Sequence, residues 1–111
     1  RIESVPATEL SERMKKGDAE NILDVRKPSE YDAEHAENAI SYPLDYINEH
    51  IHDLDKDKTY YVHCKSGYRS LVASSIMRRN GYKNVIDIDG GFQAIAETDI
   101  PKTEYVCPTT V

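Results

Sequence analysis

The chain has 111 residues, enough for one domain with its own core, and its 39% hydrophobic and 31% charged composition suits a globular fold. No apolar run approaches the roughly 18 residues of a membrane-spanning helix and no charged-then-apolar leader opens the chain; the net charge of −6 disfavours nucleic acid and anionic membranes as partners. Two cysteines, Cys64 and Cys107, cannot build a disulfide framework, so a reducing, cytoplasmic setting is expected, and the opening Arg1 in place of Met fits a domain excised from a longer protein.

In chain order, Ser4 and Val5 suit a brief strand. Pro6 or Thr8 then opens a helical pattern with Leu10 and Met14 on one face, stopped by Gly17. Asn21 to Val25, reading NILDV, is a short apolar run expected of a buried parallel strand. Pro28 suits the first turn of a short helix through Tyr31 and Ala33, with Ser29 and Glu30 at its acidic start. Ala39 to Pro43 reads as another strand, and Leu44 to Ile51 as a short helix with Leu44, Ile47 and Ile51 inward.

Tyr60, Tyr61, Val62 and His63 fit a buried strand, while Leu71, Val72, Ala73, Ile76 and Met77 recur at helical spacing up to Gly81. Val85 to Ile88 forms a last strand, and Gly90 and Gly91 turn into a final helix through Phe92 and Ile95. This alternation predicts an α/β fold, a small parallel sheet with helices on both faces, in a single domain over residues 1–111. Residues 98–111 have little periodicity and two prolines, and are expected to pack loosely.

The stretch between the Tyr60 strand and the following helix carries the chemistry. Its loop begins with Cys64, at the carboxyl end of a strand, where ligands bind in parallel sheets. Gly67 is free to take positive φ and Ser70 is available as a helix N-cap, so successive backbone N–H groups can turn toward one point. The helix N-terminus adds roughly half a positive charge, and Lys65 and Arg69 add full ones. A Cys64 thiolate is therefore expected, with a pKa below the usual value of about 8.5. From Lys58 to Ile86 an acidic protein has six cations and no Asp or Glu. Arg78, Arg79 and Lys83 complement a helix C-terminus, an explanation that does not reach Lys65 and Arg69.

Other residues take structural readings. Arg26 is expected to pair with Glu30 or another nearby acid, tying strand end to helix, and Asp24 to bond nearby backbone. His63 should face away from Cys64, because successive strand residues alternate. His50 and His52 lack the further ligands of a metal site and suit a solvated turn, so no metal is expected. Tyr68 either shapes the pocket mouth or packs on a neighbour. Cys107 reads as an idle thiol near the C-terminus.

LDVR at Leu23 to Arg26, Glu30 with Tyr31, EHAENAISYPL at Glu34 to Leu44, CKSGYRS at Cys64 to Ser70 and GGF at Gly90 to Phe92 together resemble the rhodanese domain, from about Val5 to Ala96. The resemblance implies a sulfurtransferase without cofactor. Cys64 would carry a sulfane sulfur as a persulfide, with Lys65, Ser66, Gly67, Tyr68, Arg69 and Ser70 as the cradle for it and for the incoming anion. Donors would be thiosulfate, polysulfide or a persulfide, and acceptors a thiol, including a protein thiol, or cyanide. The alternative is a relay, persulfide-sensing or protein-binding module with the same loop. Four residues separate Cys64 from Arg69; the loops of related phosphatases and arsenate reductases carry one more, so phosphate chemistry is disfavoured. Departures from the family pattern are Glu34, Ala36 and Asn38, where Gly, Ile and Gly are common, and Phe92 in place of a frequent tryptophan; Asn38 tolerates left-handed geometry, so the turn is expected to survive.

Overall fold

The computed structural model describes residues 2–106, and Cys107 lies outside them. Five strands alternate with helices: β1 (Glu3–Pro6), α1 (Ala7–Lys15), β2 (Ile22–Asp24), α2 (Pro28–Ala33), β3 (Ile40–Ser41), a 3-10 turn (Leu44–Tyr46) running into α3 (Ile47–His50), β4 (Thr59–His63), α4 (Tyr68–Arg79), β5 (Asn84–Asp89) and α5 (Gly91–Ile95). All pairings are parallel, in the order β1-β5-β4-β2-β3. Parallel neighbours need crossovers, which the helices supply, and this leaves both sheet faces covered.

Strand alternation divides the core in two. Tyr61, Ile86 and Ile88 pack with Leu10 of α1 and with Phe92 and Ile95 of α5 on one face. Tyr60, Val62, Cys64 and Val85 pack with Ile47 and with Ala73 and Met77 of α4 on the other. The expected elements are therefore present, and Asn38 takes φ 69, the left-handed turn foreseen for it.

Three details differ from expectation. The α4 face that meets the sheet runs through Ser70, Ala73, Ser74 and Met77, one position round from the apolar pattern, and Leu71 is 45% exposed. The helix starts at Tyr68 with Gly67 as its N-cap, so Ser70 sits inside the first turn and is not the cap. The stretch from residue 98, expected to lie loosely, is tied down through Val106: Ile100 is buried, Lys102 bridges Ala36, and Thr103 and Val106 donate to the carbonyls of His35 and Ala33. These bonds use backbone groups that carry no sequence pattern. No helix among the described residues is long and apolar enough to cross a membrane.

Candidate functional site

Cys64 follows β4 directly and is 1% exposed, its sulfur at the floor of the 64–70 loop. The Gly67 N–H donates to Sγ at 3.0 Å, and Sγ lies 3.6 Å from the Ser70 hydroxyl, which donates to the Gly67 carbonyl. Gly67 reaches this geometry at φ 124, a conformation that side chains rarely adopt. Burial alone pushes the Cys64 thiol up. The Ser70 hydroxyl and the backbone N–H groups of Ser70, Gly67 and Ser66 outweigh it, and the thiol lies below its ordinary value. The anion is thus held mainly by oriented N–H groups.

The loop is aimed from behind by α5. Phe92 N–H donates to the Cys64 carbonyl at 2.6 Å and Gln93 N–H to the Lys65 carbonyl at 3.1 Å. Fixing those carbonyls outward turns the following N–H groups inward. The approach is so close that a Cβ on Gly91 would lie 2.5 Å from the Cys64 carbonyl oxygen. The glycine pair therefore sets the loop position, a role the residue pattern alone did not reveal.

Of the predicted site residues, Cys64, Ser66, Gly67 and Ser70 converge on the sulfur. Lys65 is exposed and forms no ion pair among the described residues. Tyr68 is 78% exposed and stands on the rim, not packed on a neighbour. Arg69 is bound bidentately by Glu30 of α2, at 2.8 and 3.2 Å. Glu30 is consequently not the partner of Arg26. Arg26 instead grips the buried Asp24 through Nε and Nη2 at 2.7–3.1 Å, donates to the Glu34 carbonyl, and lies over the Phe92 ring at 4.4 Å. Asp24 also accepts the Arg26 N–H, the backbone role expected of it.

His63 is fully buried on the face opposite Cys64, near Phe92. Burial holds its ring below the usual histidine pKa, so it stays neutral at pH 7 and offers Cys64 no imidazolium. His50, the last residue of α3, and His52, on the turn after it, are exposed beside Asp53 and Lys56.

A cavity of about 30 Å³ opens beside Arg69, lined by Val25, Arg26, Lys27, Pro43, Leu44 and Asp45. A larger cleft of about 500 Å³ lies at the amino ends of β2 and β4, but Asp18, Glu20 and Asp57 line it, so it repels the anions that the loop attracts.

A family model for the rhodanese-like domain matches residues 6–98. The chain belongs to the rhodanese-like family. This rhodanese-like chain is 28% identical over 102 residues to a sulfurtransferase of Allochromatium vinosum, covering 90% of the chain and 94% of that protein. It is 32% identical over 93 residues to YrkF of Bacillus subtilis, whose name marks it as a candidate sulfur carrier protein, covering 81% of the chain and 50% of YrkF. Several curated relatives are much longer than the chain, which spans as little as 21% of one of them. Among solved structures, a rhodanese-related protein from Thermoplasma volcanium superposes with TM-score 0.82 at 33% identity, covering 92% of this chain and 98% of that one. The chain's relatives include proteins named as a candidate sulfur carrier, a sulfurtransferase and tRNA uridine(34) hydroxylases.

Proposed function

We propose that Cys64 accepts a sulfane sulfur and passes it on through a Cys64 persulfide. The observation that carries this reading is the sulfur atom of Cys64 lying inside a ring of inward N–H donors that favour its anion. In the first step the thiolate attacks the outer sulfur of thiosulfate, a polysulfide or a persulfide. A new S–S bond forms, the donor's S–S bond breaks, and the donor residue, sulfite in the case of thiosulfate, leaves with the electron pair. In the second step a thiol or cyanide attacks the outer sulfur, and the Cys64 thiolate departs.

Lys65, Ser66, Gly67, Tyr68, Arg69 and Ser70 serve these steps differently. Ser66, Gly67 and Ser70 hold the anionic sulfur, Lys65 and Tyr68 stand at the rim where a donor arrives, and Arg69 supplies a charge that Glu30 partly satisfies. Because Cys64 is buried at the loop floor, donor and acceptor reach it from the loop side only. No metal or organic cofactor enters either step.

The test is intact mass after mixing the protein with thiosulfate or polysulfide, for the wild type and Cys64→Ser. The wild type is expected to gain the mass of one sulfur atom, and to lose it to cyanide or a thiol, while Cys64→Ser gains nothing. No gain with any donor would refute the reading.

A further inference from the structure

His63 and Cys64 are neighbours whose side chains part to opposite faces of the sheet, the sulfur with Val62 toward α4 and the imidazole with Tyr61 toward α5. The imidazole returns to the nucleophile through the backbone. His63 Nδ1 lies 3.1 Å from the Cys64 carbonyl oxygen, in a fully buried contact. A carbonyl oxygen only accepts, so the single proton of the neutral ring is on Nδ1. Nε2 fits that tautomer. It has no hydrogen-bond partner, and Asp24 Oδ2, 3.9 Å away, is beyond hydrogen-bond distance and already taken by Arg26 Nε and Nη2.

The Cys64 carbonyl therefore has two donors. Phe92 N–H reaches it at 2.6 Å from α5, and His63 Nδ1–H reaches it from the strand that carries the cysteine. The two lone pairs of the oxygen are thus both used. A peptide carbonyl is a dipole with its negative end on oxygen. Held behind the loop, that end stays away from Sγ, and the chain beyond it presents the Ser66 and Gly67 N–H groups to the sulfur. A carbonyl with one donor fewer is freer to rock toward the anion, which it would repel.

We propose that His63 is a positioning residue for Cys64, a neutral Nδ1–H donor that holds the Cys64 carbonyl away from the sulfur and so sustains the thiolate. The charged groups that face its ring are Asp24, opposite it in the β2 register, and Arg26; the Phe92 ring lies 6.0 Å away. Asp24 and Arg26 bind each other, so the ring keeps its single proton for the carbonyl. No proton is transferred and no bond is made or broken; His63 acts by geometry. The proposal rests on the Cys64 reading for the use of that sulfur, and deepens it by naming what fixes the first peptide of the loop.

The experiment measures the alkylation rate of Cys64 by iodoacetamide against pH, read by intact mass. His63→Phe keeps a ring of similar size and removes the donor; it is expected to raise the thiolate midpoint by at least half a pH unit, leaving about a threefold smaller thiolate fraction below it. His63→Asn carries an amide nitrogen bonded to Cγ, as Nδ1 is, and is expected to keep the wild-type midpoint. Packing alone predicts the reverse order, because Asn leaves a cavity that Phe fills. An unmoved midpoint in His63→Phe, or a rise in His63→Asn as large as in His63→Phe, overturns the proposal.

Should His63→Phe fail to fold, nitrogen-15 NMR of the wild-type ring decides. Nδ1 is expected to carry the proton at neutral pH with Nε2 bare, and the Nδ1 resonance to shift as Cys64 ionises, a shift missing in Cys64→Ser. A proton on Nε2, or an Nδ1 resonance indifferent to Cys64, overturns the proposal. Neither assay requires sulfur transfer. A protein that takes up no sulfur yet shows the Phe and Asn split refutes the Cys64 persulfide and leaves the role of His63 standing.

Discussion

Gly91→Ala tests whether the α5 N-terminus holds the Cys64 loop. Gly91 sits at φ 58, and an added Cβ would lie 2.5 Å from the Cys64 carbonyl oxygen and 2.7 Å from the Lys65 carbonyl carbon and oxygen. All three are backbone atoms that no rotamer change can move aside, so α5 must retreat. Retreat stretches the Phe92 and Gln93 N–H bonds to the loop carbonyls, each worth about 1 kcal/mol. The left-handed backbone costs an alanine about 1 kcal/mol more. The expected loss is about 3 kcal/mol, a large share of the roughly 5–15 kcal/mol that holds a domain folded. Gly17→Ala is the control, since Gly17 also has positive φ, at 77, but an added Cβ there meets nothing within 4 Å. It should lose only the backbone term of about 1 kcal/mol. Urea unfolding measures both, and the alkylation midpoint of Cys64 should rise in Gly91→Ala alone, because freed carbonyls let the N–H groups turn away. Equal stability losses with an unmoved midpoint would refute the reasoning.

Glu30→Gln should release Arg69 toward the site and raise transfer from thiosulfate severalfold relative to a neutral organic trisulfide; the same change on both donors would show that Arg69 only holds the loop. Its stability cost, under about 1 kcal/mol for a half-exposed pair, follows from pH. The Arg69 hydrogen bond holds the Glu30 carboxyl below its ordinary range, so the contribution is present above about pH 4.3 and is lost as pH falls through the depressed folded value. Urea midpoints of the two proteins that fail to converge in acid would contradict this. His63 has the same sign by a different cause. Burial keeps its folded-state value below the unfolded one of about 6.5, so protons favour the unfolded chain and stability falls as pH drops below that value. His63→Asn should weaken that fall, and parallel urea midpoints between about pH 7.5 and pH 5 would rule it out.

Local pattern made much of this protein legible. Short apolar runs such as NILDV, each followed by helical spacing, are consequences of strands buried on both faces, and they place Cys64 at a strand's carboxyl end before any coordinate is known. The loop glycine was legible for the same reason, since only its own backbone decides its φ. What escaped were pairings between distant elements. Glu30 lies 39 residues from Arg69, and its partner depends on how α2 is set against the loop. Asp24 and Arg26, two apart in a strand, were free to choose other partners until burial forced them onto each other. The inward face of α4 was misjudged because Ser70 and Ser74, polar by type, are buried by their place beside β5, while Leu71 faces out.

The charge map and the coordinates together locate the source of the anion's stability. A segment of six cations without an acid suggested that side-chain charge favours the thiolate. Yet Lys65 is exposed, and Arg69 has its carboxylate partner supplied from α2. Exposed charges are screened within about a Debye length of 10 Å at 0.1 M salt, whereas an N–H donor such as that of Gly67, 3.0 Å from the buried sulfur, is screened far less. It follows that Cys64 ionisation should depend little on ionic strength, while the capture of an anionic donor at the rim should weaken as salt rises. Alkylation by neutral iodoacetamide and sulfur loading from thiosulfate, measured across the same salt series, separate the two. A thiolate midpoint that climbs with salt as steeply as loading declines would return the cradle's charge to Lys65 and Arg69.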